Sequence, residues 1–269
     1  MATKIEWTEK TWNPVSGCTK VSEACQNCYA EVMARRLQGN HIRGYEQGFK
    51  VTLHPERLTE PLTWKKPTMV FVVSMGDLFH EYVPFAYIDK VMDVIYENPK
   101  HTFQLLTKRA DRMFGYFENN RLPRNVWLGT TCESSYHYDR IAYLRAIPNA
   151  SVKFLSCEPL LGDMSDIDLT GIDWLIMGGE SGQRARRTLP EWFAALRDAC
   201  LRQNTALFFK QWGTWGADGI KRSKKENGCT LDGIEWKQYP DARPNPLLTS
   251  GNPSAVSVVA GTDRQSEKE

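Results

Sequence analysis

Three cysteines within eleven residues carry the sharpest chemistry in this chain: Cys18, Cys25 and Cys28, in the stretch Gly17-Cys18-Thr19-Lys20-Val21-Ser22-Glu23-Ala24-Cys25-Gln26-Asn27-Cys28-Tyr29. Their spacing is C-x6-C-x2-C, no histidine lies among them, and the next cysteine is Cys132. A structural zinc ion is nearly always closed by four protein ligands, so three thiolates leave a position open. A four-iron four-sulfur cluster is normally held by four cysteines. With three, one iron is left free for a small molecule. Soft thiolates suit both metals, so a zinc site completed by His41, His54 or a distant residue, or plain reduced thiols, fits the spacing as well.

A second set of reactive residues follows short apolar runs. Ser74-Met75-Gly76-Asp77 follows one, Thr107-Lys108-Arg109 the next, then Thr131-Cys132-Glu133 and Cys157-Glu158-Pro159. Gly178-Gly179-Glu180-Ser181-Gly182 and Lys210-Gln211-Trp212-Gly213 follow the last two. Each acid could simply cap a following helix, but four acids after four runs is a pattern that capping explains less well. The glycine loop lacks both a dinucleotide fingerprint and the Lys-Ser/Thr of a P-loop. The basic runs Arg184-Ala185-Arg186-Arg187 and Lys221-Arg222-Ser223-Lys224-Lys225 read first as solvated faces.

The elements that must position these residues alternate. A short first strand is expected at Thr11-Trp12-Asn13, ended by Pro14. Six continuous apolar runs follow: Met69–Ser74, Thr102–Thr107, Val126–Thr130, Val152–Ser156, Asp173–Gly178 and Ala206–Lys210. Continuous rather than alternating runs are typical of parallel strands covered on both faces. Between them, helical stripes appear at Phe85/Ile88/Val91/Met92/Ile95, Ala110/Met113/Phe114/Phe117, Tyr138/Ile141/Leu144/Ile147 and Trp192/Phe193/Leu196/Ala199/Cys200. Tyr29, Val32, Met33 and Leu37 form another. Residues 38–68 read as an irregular excursion, and 160–172 shows no clear stripe. The predicted fold is an α/β open or incomplete barrel of six to seven parallel strands, with a doubly wound sheet as the second choice. In either fold the strand C-termini open on one face, so the thiols, the acids, Lys108, Arg109 and Lys210 are expected at one mouth. The expected organisation is a barrel over 1–213, an irregular extension over 214–261 and a disordered tail over 262–269.

Composition narrows the classes. The 269 residues are 41% hydrophobic and 25% charged, with net charge +2, so no overall field advertises nucleic acid or a membrane. No run is long enough to span a bilayer and no signal-peptide pattern opens the sequence. Seven cysteines without an export signal fit reduced thiols or metal ligands in a cytoplasmic setting. The nine tryptophans are unexplained at this level.

Taken in order, Ile5-Glu6-Trp7-Thr8, Thr11-Trp12-Asn13-Pro14, the cysteine loop, Ser74–His80, Leu106–Arg109, Ser156–Leu161, Gly178–Gly182 and Phe209–Gly213 resemble a phage-derived radical-SAM-like family with a three-cysteine motif. The likeness extends to Leu231-Asp232-Gly233 and Trp236. The resemblance implies a four-iron four-sulfur cluster on Cys18, Cys25 and Cys28 and S-adenosylmethionine on its free iron. That cofactor, cleaved on electron transfer, yields a hydrogen-abstracting radical, so an electron donor is implied too. By position, Asp77 would receive the methionine ammonium, and Glu133 and Glu158 would contact ribose and adenine. Gly178, Gly179, Glu180, Lys108, Arg109 and Lys210 complete the implied cofactor-binding set. The first gap is three residues longer than the usual radical-SAM spacing, and Glu23 lies inside it. The family's phage association points to a nucleic acid or nucleotide substrate. Two other readings stand beside this one: a metal-dependent hydrolase or nuclease using the acid ring, and a binding module using the basic runs.

Overall fold

Chain order and sheet order coincide in this protein, and that property decides between the two α/β folds. The computed structural model describes residues 3–240; the tail expected at 262–269 and residues 241–261 of the extension lie outside the described residues. In chain order the elements are β1 (Lys10–Trp12), β2 (Val15–Ser16), α1 (Tyr29–Gly39), β3 (Thr52–Leu53), β4 (Met69–Val72), α2 (Phe85–Tyr96), β5 (Thr102–Thr107), α3 (Ala110–Phe117), β6 (Val126–Thr131), α4 (Tyr138–Ala146), β7 (Val152–Cys157), β8 (Trp174–Gly178), α5 (Pro190–Arg202), β9 (Ala206–Gln211), α6 (Lys224–Asn227), β10 (Thr230–Leu231) and β11 (Ile234–Glu235). The main sheet runs β1-β4-β5-β6-β7-β8-β9, every neighbouring pair parallel. A doubly wound sheet reverses its strand order at a switch point; this one never does. The two end strands do not pair with each other, so the fold is an open α/β barrel of seven strands.

The strands are buried on both faces, and the faces differ in chemistry. Outward, Val70, Val72, Phe103, Leu105, Leu128, Leu155, Leu175 and Leu207 meet Ile88, Val91, Met113, Ile141, Leu144, Phe193 and Leu196 of the helices. Inward, Phe71, Trp127, Phe154, Trp174, Ile176 and Phe208 pack on Trp7 with no helix among them. Trp174 meets Trp127 edge-on at 5.8 Å and Phe208 at 6.0 Å. Each buried aromatic contributes roughly 1.5–3 kcal/mol, and these explain three of the tryptophans. On β6 to β9 they sit in the N-terminal halves of their strands and fill the barrel below its mouth.

Two elements depart from the sequence expectation, and the stripeless stretch 160–172 folds as read. The first strand is Lys10–Trp12, paired in register with β4. The stripe Tyr29, Val32, Met33 is exposed, at 59%, 51% and 42%. Helix α1 instead buries Ala30 and Ala34 against Tyr45 and Met75, because small side chains let it lie close to the barrel. The connection from β7 to β8 holds no helix; Leu160, Met164, Ile167, Leu169 and Ile172 cover the sheet from irregular backbone instead. Beyond β9, Phe209 N donates to Trp236 O and Gln238 N to Leu207 O, so residues 236–238 cover that open edge. Lys237 reaches Glu6 at 2.9 Å and ties this cover to the N-terminal segment.

Candidate functional site

Strand β1 and the short strand β2 deliver the chain to Gly17, where the cysteine loop begins. Gly17 has a positive φ of 82°, and a side chain there would lie 2.1 Å from the Lys50 carbonyl. Only glycine fits this crossing. The antiparallel pair β2–β3 brings residues 47–51 alongside, and Cys18 N donates to Phe49 O at 3.2 Å. The result is a cavity of about 740 Å³ lined by all three loop thiols, with Lys20, Arg35, Lys50 and Tyr82 on its walls. None of the seven cysteines is in a disulfide. Burial, with Asp77 adding to it, pushes the Cys18 thiol up to about 11 while Arg109 pulls the other way; the Arg109 Nη1 donates to Cys18 Sγ at 3.4 Å.

The other four cysteines are elsewhere. Cys132, Cys157 and Cys200 lie in the apolar core, although the first two stand at strand ends where a place in the mouth was conceivable. Cys229 donates to Glu235 in the C-terminal hairpin. His54, a candidate fourth zinc ligand, is buried and hydrogen-bonded to Ser16 Oγ at 2.8 Å.

The acids and cations at the strand ends are brought together, but as pairs. Asp77 accepts from Thr107 Oγ1 (2.7 Å), Phe79 N (2.9 Å), Lys108 N (3.4 Å) and Arg109 Nη1 (3.1 Å). Glu133, fully buried, meets Lys108 Nζ at 3.1 Å and Arg140 Nη1 at 2.8 Å. Glu158 pairs with Lys210 at 3.0 Å, and Gly178 leaves the room: a side chain there would meet the Glu158 carboxylate at 2.8 Å. Gly179 passes directly against the Trp212 carbonyl. Burial works against a charged Glu180, yet the hydrogen bonds from Arg186 and Asn27 hold its carboxyl below the ordinary value; Arg186 Nη2 lies 2.6 Å away. Of the sequence candidates, only the three cysteines line the cavity. The charged residues form a neutralised rim behind it.

That rim grips the cysteine loop. Arg109 Nη2 donates to Thr19 Oγ1 at 2.9 Å, Ser22 Oγ donates to Glu133 at 3.0 Å, and Asn27 Nδ2 donates to Glu180 at 3.2 Å. Glu23, inside the enlarged gap, accepts from Ser134 Oγ at 3.3 Å and pairs with His137 at 3.1 Å. Its carbonyl accepts from Arg186 Nη1 at 2.8 Å. The extra loop length therefore reaches the ends of β6 and β8. Sequence reading missed Arg140, His137 and Asn27 as holders of the loop, and nothing local marks them. It also missed Glu31, Arg35 and Gln38 on the cavity wall, where a signal did exist: with Cys28 they recur at i, i+3, i+7 and i+10 along α1, one helical face.

Fold and site together define an open parallel α/β barrel whose first strand leads into a three-thiol loop anchored on the charged rim of its mouth. The chain belongs to the family described as Protein of unknown function (DUF5131), whose model matches residues 2–240. No curated protein matches it. Among solved structures it is similar to a cysteine-to-serine mutant of spore photoproduct lyase, with 14% identity, a TM-score of 0.46, and coverage of 82% of this chain and 69% of that one. It is also similar to spore photoproduct lyase complexed with dinucleoside spore photoproduct, with 13% identity, a TM-score of 0.44, and coverage of 84% and 72%. Among the described residues no helix is long and apolar enough to cross a membrane.

Proposed function

We propose that this protein is a radical-SAM-like iron–sulfur enzyme. One observation carries the reading: Cys18, Cys25 and Cys28 alone of the seven cysteines share a cavity, and Cys132, Cys157 and Cys200 are sunk in the core. The donor set fits a four-iron four-sulfur cluster with one iron unligated by protein. Each rim acid already faces a cation, which speaks against the hydrolase reading.

When bound, the cluster would supply the electron that cleaves S-adenosylmethionine. The chain's own residues do the holding. Asp77, with four donors on its two oxygens, fixes Arg109, and Arg109 fixes Thr19 and Cys18. Glu133 and Glu180 anchor the loop through Ser22 and Asn27, with Lys108 completing the Glu133 pair. Glu158 has one partner among the described residues, Lys210, so it is the rim acid best able to accept the hydroxyls of a bound cofactor beside Gly178 and Gly179. The test is an anaerobic iron and sulfide determination with electron paramagnetic resonance, followed by reduction with S-adenosylmethionine. About four irons per chain, a resonance moved by the cofactor and release of 5′-deoxyadenosine are expected. An intact cluster whose resonance ignores S-adenosylmethionine would overturn the reading.

A further inference from the structure

The two basic runs are separated by more than thirty residues of chain, including all of α5, yet the fold joins them. Trp215 Nε1 donates to Ala185 O at 2.8 Å, and Gly182 N donates to Thr214 Oγ1 at 2.9 Å. The Arg187 guanidinium lies against Gly219, 2.6 Å from where a side chain would begin. Lys221 sits over the Trp215 ring at 4.7 Å. Residues 184–187 and 218–226 thus make one surface with seven cations and two carboxylates, Asp218 and Glu226, in a chain of net charge +2.

Both carboxylates are occupied locally. Asp218 is paired with Arg222 at 2.6 Å, and Glu226 is tied up in a capping box with Ser223. Arg186 faces Glu180. Arg184, Arg187, Lys221, Lys224 and Lys225 are exposed, and among the described residues none of them forms an ion pair with a carboxylate. The surface adjoins the mouth: Asn27 of the cysteine loop donates to Arg184 O at 3.0 Å, and Arg186 holds the Glu23 carbonyl. Through Glu23 the surface continues to His137, whose chain neighbour Tyr136 is 89% exposed.

We infer that this surface docks the phosphodiester backbone of a nucleic acid and leads a single-stranded segment to the mouth. Five exposed cations without carboxylate partners match a run of phosphates better than an isolated anion, and an exposed aromatic at the rim is what base stacking needs. The inference takes the mouth as the reacting end and so rests on the proposed function, but docking needs no cluster, which separates the two in the test.

The experiment is fluorescence anisotropy of labelled twelve-nucleotide single strands and duplexes, of DNA and of RNA, with the full chain before and after cluster reconstitution. With about four phosphates neutralised, log affinity against log salt should have a slope near −3, a loss of roughly 60-fold between 50 and 200 mM. Reversing Arg184→Glu, Lys224→Glu and Lys225→Glu together should cut the slope by about 2. Circular dichroism and the thermal midpoint serve as the check on folding. Tyr136→Ala should weaken single strands by roughly five-fold or more and leave duplexes unchanged. The DNA and RNA arms tell which backbone is preferred. Wild-type affinity and slope in the folded triple variant would overturn the inference, as would equal binding to phosphatidylserine vesicles with none to either nucleic acid. Docking retained in protein that takes up no iron would sink the proposed function and leave this surface standing.

Discussion

Two trios of cysteine occupy this fold, and their surroundings differ in nearly every respect. Cys18, Cys25 and Cys28 are partly exposed on a loop threaded through charged partners and share one cavity. Cys132, Cys157 and Cys200 are buried among Leu155, Leu160, Phe193 and their neighbours. There burial pushes the thiols of Cys132 and Cys200 up to about 12 and that of Cys157 well above its ordinary value. Burial also pushes the Cys18 thiol up, to about 11, so what separates the trios is the shared, partly exposed cavity and not titration. The same residue type is made a candidate ligand or a small hydrophobe by its surroundings alone.

The comparison can be broken in graded ways. The largest effect is expected from Cys18→Ala, Cys25→Ala or Cys28→Ala, each of which should abolish bound iron and sulfide. Loss of iron in Cys132→Ala or Cys157→Ala, with the fold intact, would mean a fourth protein ligand. Next comes the loop's deepest anchor. Glu133→Ala leaves Arg140 and Lys108 facing a buried space without their counter-ion, and should cost about 3–5 kcal/mol, read from the urea midpoint at constant slope. Cys157→Ser places a hydroxyl in a fully buried apolar site and should cost about 1–3 kcal/mol while iron content stays at the wild-type level. A smaller contrast is kinetic. In the iron-free protein a thiol reagent should label Cys25 and Cys28 under native conditions and reach Cys132, Cys157 and Cys200 only on unfolding; labelling all seven at one rate would erase the distinction. Smallest is Glu23→Ala. Its pair with His137 is partly solvated and worth under about 1 kcal/mol, so stability should barely move, while proteolysis at Ser22–Cys25 should quicken.

The seven strands of the main sheet and four of the helices were legible because their signals are local: continuous apolar runs and stripes at helical spacing. The cysteine spacing was legible for the same reason. The outward tilt of Val32 and Met33 was not, since it depends on Ala30 and Ala34 finding close partners at Tyr45 and Met75. Nor was the pairing of the rim. Glu133 meets Lys108 from the neighbouring strand and Arg140 from the following helix, and Glu158 reaches two strands over to Lys210. Such pairings belong to the curvature of the sheet, which no single segment encodes. Two basic runs that looked like solvated faces became one surface for the same reason.

The aromatic filling inside the barrel has a consequence for traffic. With Trp7, Trp127, Phe154, Trp174 and Phe208 packed across the interior, the barrel is a cup and not a tube. On the proposed function, cofactor and substrate share the approach above this aromatic floor, and a polymer docked along the rim stays in place while small molecules exchange beneath it.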